Sequence, residues 1–207
     1  MKTLIFGATG ATGQCLVEQA LELGYEVTAF ARHPNAITRN HPLLKVVRGD
    51  VLEPVSVDTA MVGQDAVLCA LGVQSFSDTG VLSTGMKHII AAMEKSGVRR
   101  IICESSLGVG DSRNQTGFVF GSIIVPLVFK GLFKDKERQE NQLCQSQLDW
   151  VIVRPARLTD GPRKGVYNAV ADRSRVGSQI SRADVAAFML EQLKSEKYLR
   201  QKVAIAY

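Results

Sequence analysis

The chain has 207 residues, 45% of them hydrophobic and 22% charged, with a formal net charge of +5. That length suits one soluble, enzyme-sized α/β unit, and the scattered glycines and prolines exclude a low-complexity chain or a repeat array. The modest positive charge lacks the interleaved aromatic residues of a single-strand binder and any duplex-reading motif, which excludes nucleic acid as the partner.

Lys2–Phe6 is a short apolar run that predicts a buried strand, and it opens directly onto Gly7-Ala-Thr-Gly10-Ala-Thr-Gly13. Glycines at three-residue intervals after a strand suit the pyrophosphate of a dinucleotide. Gly7 permits the tight turn, Gly10 lets backbone N–H groups approach the anion, and Gly13 lets the following helix press on the sheet. The spacing is Gly-x-x-Gly-x-x-Gly rather than the commoner Gly-x-Gly-x-x-Gly, so its context decides its weight. Ala11–Leu23 carries Leu16, Val17, Ala20 and Leu21 at helical spacing, Gly24 stops that helix, and Glu26–Ala31 reads as a second strand. These complete a β-α-β unit whose helix N-terminus faces the anion.

Arg32 stands at the end of the second strand, where NAD sites usually place an acid. A guanidinium grips a 2′-phosphate through parallel charge-assisted bonds and a carboxylate repels it, so NADP(H) is favoured over NAD(H). His33 and Arg39 either add positive potential there or belong to a solvated loop with Pro34, Asn35, Asn40 and Pro42.

Strand and helix patterns keep alternating: Leu44–Arg48, Ala66–Cys69, a helix over about Leu82–Ser96, Arg100–Cys103 and, later, Trp150–Arg154. This order predicts an α/β fold, a single Rossmann-like doubly wound parallel sheet with helices on both faces and a small C-terminal region covering the substrate. Ligands of such a sheet gather outside the carboxyl ends of its strands. Asp50-Val51, Leu71-Gly72 and Ser105-Ser106 occupy those ends. Asp50 is placed to accept from the adenine amino group and Gly72 to admit the ribose or pyrophosphate, although Gly49-Asp50 and Gly72 also read as plain turn residues. One domain over residues 1–207 is expected, with 1–105 mainly for the cofactor and 106–207 mainly for the acceptor.

Gly117–Phe133 is the most apolar segment, yet Pro126, Lys130 and its glycines interrupt it too often for a bilayer span. Core or a cover over the acceptor pocket is expected, with a subunit interface or a membrane-surface contact as alternatives. Lys134–Leu148 reads as an exposed helix with Lys136 and Glu140 paired at i, i+4, and Ser181 as the N-cap of a last helix. Cys15, Cys69, Cys103 and Cys144 are too widely spaced for a Cys-x-x-Cys arrangement and read as reduced core residues, and His33, His41 and His88 show no ligand spacing. No metal is expected. The five-residue apolar stretch at the start is too short for a signal peptide, so a cytoplasmic protein is expected.

These residues resemble the atypical short-chain dehydrogenase/reductases, including NmrA-like proteins, and within them the flavin- and biliverdin-reducing branch. The resemblance runs through Ile5–Gly13, Gly24–Thr28, Gly49–Leu52, Gly63–Val67, Leu71-Gly72, Ala91–Met93 and Gly97-Val98. It continues through Arg154-Pro155, Gly165–Tyr167 and Ile180-Ser181 to Phe188–Leu190, nearly the whole chain. It implies an NADPH-dependent reductase that passes hydride to a planar conjugated acceptor, a free flavin or a linear tetrapyrrole such as biliverdin. It also implies that Gly7, Thr9, Gly10, Ala11, Thr12, Arg32, Asp50, Val51, Leu71 and Gly72 contact the dinucleotide. Ser105, the candidate catalytic residue, lies beside the nicotinamide as an orienting group rather than a base. Pro155 borders both cofactor and acceptor, and Arg157, where relatives can carry histidine, borders the acceptor with Phe118, Phe120 and Phe129 as weaker candidates.

Carbonyl-reducing members of the superfamily protonate the nascent alkoxide with a Tyr-x-x-x-Lys pair, and this chain is expected to lack one. A simple ketone would then forfeit about 10²- to 10⁴-fold in rate. A flavin, quinone or tetrapyrrole spreads the incoming charge and takes its proton from water, so orientation against the nicotinamide carries catalysis. A non-catalytic NADP(H)-binding sensor or assembly factor is the alternative, and a quinone reductase a further one. A monomer is favoured.

Overall fold

The computed structural model describes residues 1–73, 77, 79–115, 130–172 and 174–207. Along the chain the elements are β1 Lys2–Phe6, α1 Ala11–Glu22, β2 Glu26–Ala31, β3 Leu44–Arg48, α2 Pro54–Met61, β4 Ala66–Cys69 and α3 Val81–Ser96. They continue with β5 Arg100–Glu104, α4 Lys130–Gln145, β6 Asp149–Pro155, β7 Arg157–Thr159, β8 Asn168–Val170, β9 Gln179–Ser181, α5 Arg182–Glu191 and β10 Gln201–Ala206.

Strands β3-β2-β1-β4-β5-β6-β10-β8 lie side by side in one sheet, parallel throughout except for the antiparallel β10–β8 pair. The α/β architecture expected from the alternating pattern is thus present. From β1 the chain steps outward to β2 and β3, then returns to the other side of β1 at β4, so the strand order reverses between β1 and β4. In such sheets that reversal opens a crevice at the carboxyl ends of the strands, and the glycine turn leaves β1 directly into it. The short β7 and β9 form a separate parallel pair beyond the end of β6. These two, with β8, β10 and α2, are elements that the sequence reading does not predict; β7, β8 and β9 have three residues each, too few to show a period.

Alternation along β1 feeds both faces: Ile5 packs with the α1 and α5 layer, whereas Leu4 and Phe6 pack with the α2, α3 and α4 layer. All three side chains are fully buried, and each such burial stabilises the fold by roughly 1.5–3 kcal/mol. Helix α1 ends where Gly24 adopts φ +72°, and its N–H and that of Leu23 bond back to Leu21 and Gln19.

Helix α4 departs from the exposed helix expected over 134–148. Phe133, Asp135, Gln139, Glu140 and Leu143 are buried, so much of its inner stripe is polar. Asp135 explains part of that stripe. Its carboxylate accepts from the Leu82 and Ser83 N–H groups at 3.1 Å each and from Ser83 Oγ at 2.5 Å, capping α3 from another element. The residue at the N-cap of α3 itself is Gly80, which has no side chain to do so. Arg138 in turn pairs with Asp135 at 3.2 Å.

Candidate cofactor site

The turn after β1 is closed by a bond from Gly10 N to Gly7 O at 2.9 Å, with Gly7 at φ +78°. A Cβ on Gly7 would stand 2.2 Å from Ala70 O, and one on Gly13 would stand 2.0 Å from Gly7 O, so side chains are barred at both positions. Gly10 differs: a Cβ there would meet nothing closer than Gly7 O at 3.3 Å. Its openness serves the outside of the turn rather than the packing. Gly10 is also the N-cap of α1, makes no side-chain cap bond, and the first turn of the helix holds no acid. With the Gly10 N–H spent on the turn, exposed Thr9 and Ala11 present backbone N–H groups, and α1 its positive end, to an incoming anion. These residues fit the diphosphate of a dinucleotide.

Other predicted cofactor residues surround that turn. Arg32 is exposed at the end of β2, whereas Arg39 is committed to Glu18 at 2.8 Å. His33 contributes its carbonyl to the turn Pro34–Ala36. Asp50 sits past β3, its Oδ1 accepting from Leu52 N at 3.0 Å. Val51 is buried against α3, where a Cβ on Gly85 would lie 2.9 Å from Val51 Cγ2. Leu71 is half-buried and Gly72 exposed past β4. The fold thus gathers Gly7, Thr9, Gly10, Ala11, Thr12, Arg32, Asp50, Val51, Leu71 and Gly72 at the carboxyl ends of β1 to β4.

On the far side of the crevice, Ser105 follows β5 and is buried. Its hydroxyl donates to Glu140 Oε1 at 2.6 Å, and its N–H to Val153 O at 2.7 Å. Glu140 is buried too, and accepts from Arg154 Nε at 3.0 Å and Arg154 Nη2 at 2.6 Å. Arg154 continues to Asp111 at 2.7 Å, and Lys202 approaches Glu140 at 3.3 Å. Burial works against the Arg154 charge, but Glu140 and then Asp111 outweigh it and hold the guanidinium pKa above its ordinary value. The Lys136–Glu140 pair expected from i, i+4 spacing gives way to this network. Lys136 instead donates from Nζ to Ser105 O at 3.2 Å, which puts an ammonium at the end of β5. Charge periodicity alone does not reveal that role, because a solvated lysine and an inward-reaching one look alike in sequence.

A Tyr-x-x-x-Lys spacing does occur, at Tyr198 and Lys202, contrary to the expectation of none. Tyr198 precedes β10 and donates its hydroxyl to Ala169 O at 3.1 Å, while Lys202 lies within β10 beside Glu140, so the two do not form a helical acid pair. Tyr207 donates to Asp184 at 2.6 Å, and burial, then Glu191, push the Tyr167 hydroxyl up to about 12. Pro155 ends β6 and is buried, and exposed Arg157 leans on Gln179 at 2.5 Å. Phe118, Phe120 and Phe129, with most of the apolar segment 117–133, lie outside the described residues.

Ser181 caps α5, accepting from Asp184 N at 3.1 Å as the sequence predicts. The four cysteines are free thiols, Cys69 and Cys103 buried, Cys15 and Cys144 half-buried. Among the described residues no group of three or more His, Cys, Asp or Glu side chains is arranged to hold a metal, and no helix is long and apolar enough to cross a membrane. A cavity of about 300 Å³ lies apart from the glycine turn, over β6, β8 and β10, with Trp150, Arg154, Arg200 and Lys202 in its lining.

Known proteins share this frame. The family model described as NAD(P)H-binding matches residues 7–196. The chain is 30% identical over 210 residues to the uncharacterized chloroplastic protein At2g34460 of Arabidopsis thaliana, covering 95% of this chain and 73% of that one. It is 26% identical over 169 residues to the photosystem II assembly factor Ycf39 of Synechocystis, covering 78% of this chain and less than half, 46%, of that protein. Among solved structures, the anaerobillin reductase ChuY of Escherichia coli O157:H7 superposes with a TM-score of 0.85 at 27% identity, covering 99% of this chain and 96% of that one.

Proposed function

We propose, on the premise that this chain belongs to the NAD(P)H-binding family and has its oxidoreductase-type Rossmann fold, that it is an NADPH-dependent reductase of planar conjugated acceptors. Free flavins and linear tetrapyrroles are the acceptor classes. One observation carries the acceptor half: the end of β5 holds an ammonium, Lys136 on Ser105 O, while the Tyr198 and Tyr207 hydroxyls are committed elsewhere, to Ala169 O and Asp184. That arrangement stabilises negative charge spread over a conjugated ring without delivering a phenolic proton to a localised alkoxide. Similarity to ChuY, a reductase of anaerobillin, supports the tetrapyrrole class.

When bound, NADPH supplies the hydride, and the residues of the chain hold and orient its surroundings. Gly7 and Thr9–Thr12 take the diphosphate, Arg32 the 2′-phosphate, and Asp50, Val51, Leu71 and Gly72 the flanking sugar and adenine. Ser105 acts as a positioning residue, since its hydroxyl is spent on Glu140 and its carbonyl anchors Lys136. Pro155 and Arg157 border the acceptor, and Arg157 favours a phosphate or carboxylate on it. Residues 1–105 then serve mainly the cofactor and 106–207 mainly the acceptor.

Purified protein should oxidise NADPH, and NADH far more slowly, when FMN, riboflavin or biliverdin is added. Absence of acceptor-dependent NADPH loss across flavins, biliverdin and quinones would overturn this. The similarity to Ycf39 favours a second reading, an NADP(H)-binding assembly or sensor protein, which tight NADP binding without turnover on that panel would support.

A further inference from the structure

Four carboxylates are buried among the described residues, and they differ in how many donors they receive; Asp135 takes the Leu82 and Ser83 amides and the Ser83 hydroxyl. Glu140 accepts from Ser105 and twice from Arg154, with Lys202 beside it. Asp184 accepts from the N–H groups of Lys164 and Gly165 and from the hydroxyls of Ser181 and Tyr207. Glu104 is 8% exposed and, among the described residues, accepts one bond, from the Thr12 hydroxyl to Oε1 at 3.1 Å. Burying an ionised carboxylate with so few donors is costly, and the cost falls away if the group takes up a proton.

The location of this under-served carboxylate gives it a role. Thr12 belongs to the first turn of α1, immediately after Ala11, in the turn that the diphosphate position faces. Glu104 hangs beneath that turn at the end of β5, one residue before Ser105. We propose that Glu104 is the proton-linked element of the cofactor site: filling the cradle with the NADP(H) diphosphate and protonating the Glu104 carboxylate are coupled events. This inference rests on the reading of the glycine turn as an NADP(H) site.

The groups facing Glu104 set where the coupling operates. Lys136 from α4 and Arg182 from α5 favour the charged form, as does the Thr12 bond from α1, while the thiols of Cys15 on α1 and Cys69 on β4 feel its charge in return. Burial is the largest influence and holds the carboxyl above the usual carboxylate range despite both cations. A cofactor anion arriving at the first turn of α1 adds a like charge nearby and moves the balance further toward the protonated form.

The test is calorimetric titration of NADPH into the protein in two buffers of different ionisation enthalpy, which counts protons taken up per NADPH bound. Subtracting the Glu104→Gln variant removes the titration of the 2′-phosphate itself. Wild type should take up as much as about one proton more than Glu104→Gln, and its affinity should fall toward tenfold more per pH unit above the free carboxyl's midpoint. Thr12→Val, which removes the hydroxyl donor, should move that midpoint to higher pH. Equal proton uptake in wild type and Glu104→Gln, or an unmoved midpoint in Thr12→Val, would overturn the coupling while leaving the NADPH reading intact. Failure of wild type to bind NADPH at all would overturn both.

Discussion

The two sides of the crevice hold polar groups at strand ends by opposite means. At the amino-terminal side, Gly7, Gly10 and Gly13 shape backbone into an anion cradle, and side chains contribute chiefly by being absent. At the β5–β6 side, Ser105, Glu140, Arg154, Asp111 and Lys202 form a buried network in which almost every bond is between side chains. A backbone cradle is fixed by sterics, within seven residues at Gly13 and against the Ala70 carbonyl at Gly7. The network joins positions 35 and 14 residues apart and holds only while every charge keeps its partner.

The largest expected effect breaks the second side. Glu140→Ala strips Arg154 of its buried carboxylate, leaving it the exposed Asp111, and should cost about 3–5 kcal/mol in urea unfolding. A loss below about 1 kcal/mol would mean that the pair behaves like a surface salt bridge. Next comes Gly13→Ala, whose Cβ would sit 2.0 Å from Gly7 O; overpacking of this kind costs about 1–3 kcal/mol and should remove NADPH binding with it. Gly10→Ala, with room at 3.3 Å, should keep the melting temperature and weaken NADPH alone. If the two alanines behave alike, the cradle is not divided into packing glycines and a ligand-facing one.

Arg32→Ala should weaken NADPH roughly 10- to 100-fold and leave NADH unchanged, measured by fluorescence titration. Equal losses for both would assign Arg32 to the adenosine generally rather than to the 2′-phosphate. Smallest in its effect on the reaction is Ser105→Ala, which removes a hydrogen bond to a charged carboxylate, worth about 1.5–3 kcal/mol of stability, and should lower turnover less than tenfold. Complete inactivation of a folded Ser105→Ala protein would make the hydroxyl a direct participant.

What the sequence discloses follows the same division. The glycine turn, β1 to β6 and the end of α1 at Gly24 are legible because they rest on local sterics and on apolar period. The cap at Ser181 is legible for the same reason, since donor and acceptor are three residues apart. The partners of Glu140 are not, because i, i+4 spacing proposes Lys136 while the sheet delivers Arg154 and Lys202 from other strands. Lys136 at Ser105 and Thr12 at Glu104 are likewise products of tertiary approach, the latter across 92 positions. Tyr198 and Lys202 show the reverse error, a motif spacing realised in the wrong element.

The cap that Asp135 places on α3 bears on the order in which the molecule assembles. Helix α3 begins at a glycine, with Thr79 Oγ1 reaching the Val81 amide at 3.4 Å, and borrows the carboxylate for its next two amides from a residue more than fifty positions later. Until α4 docks, the Leu82 and Ser83 amides have no carboxylate to receive them, and that turn frays. The floor beneath Val51 and Leu71 is therefore completed late in folding, and amide exchange at the start of α3 should slow only in step with protection of α4.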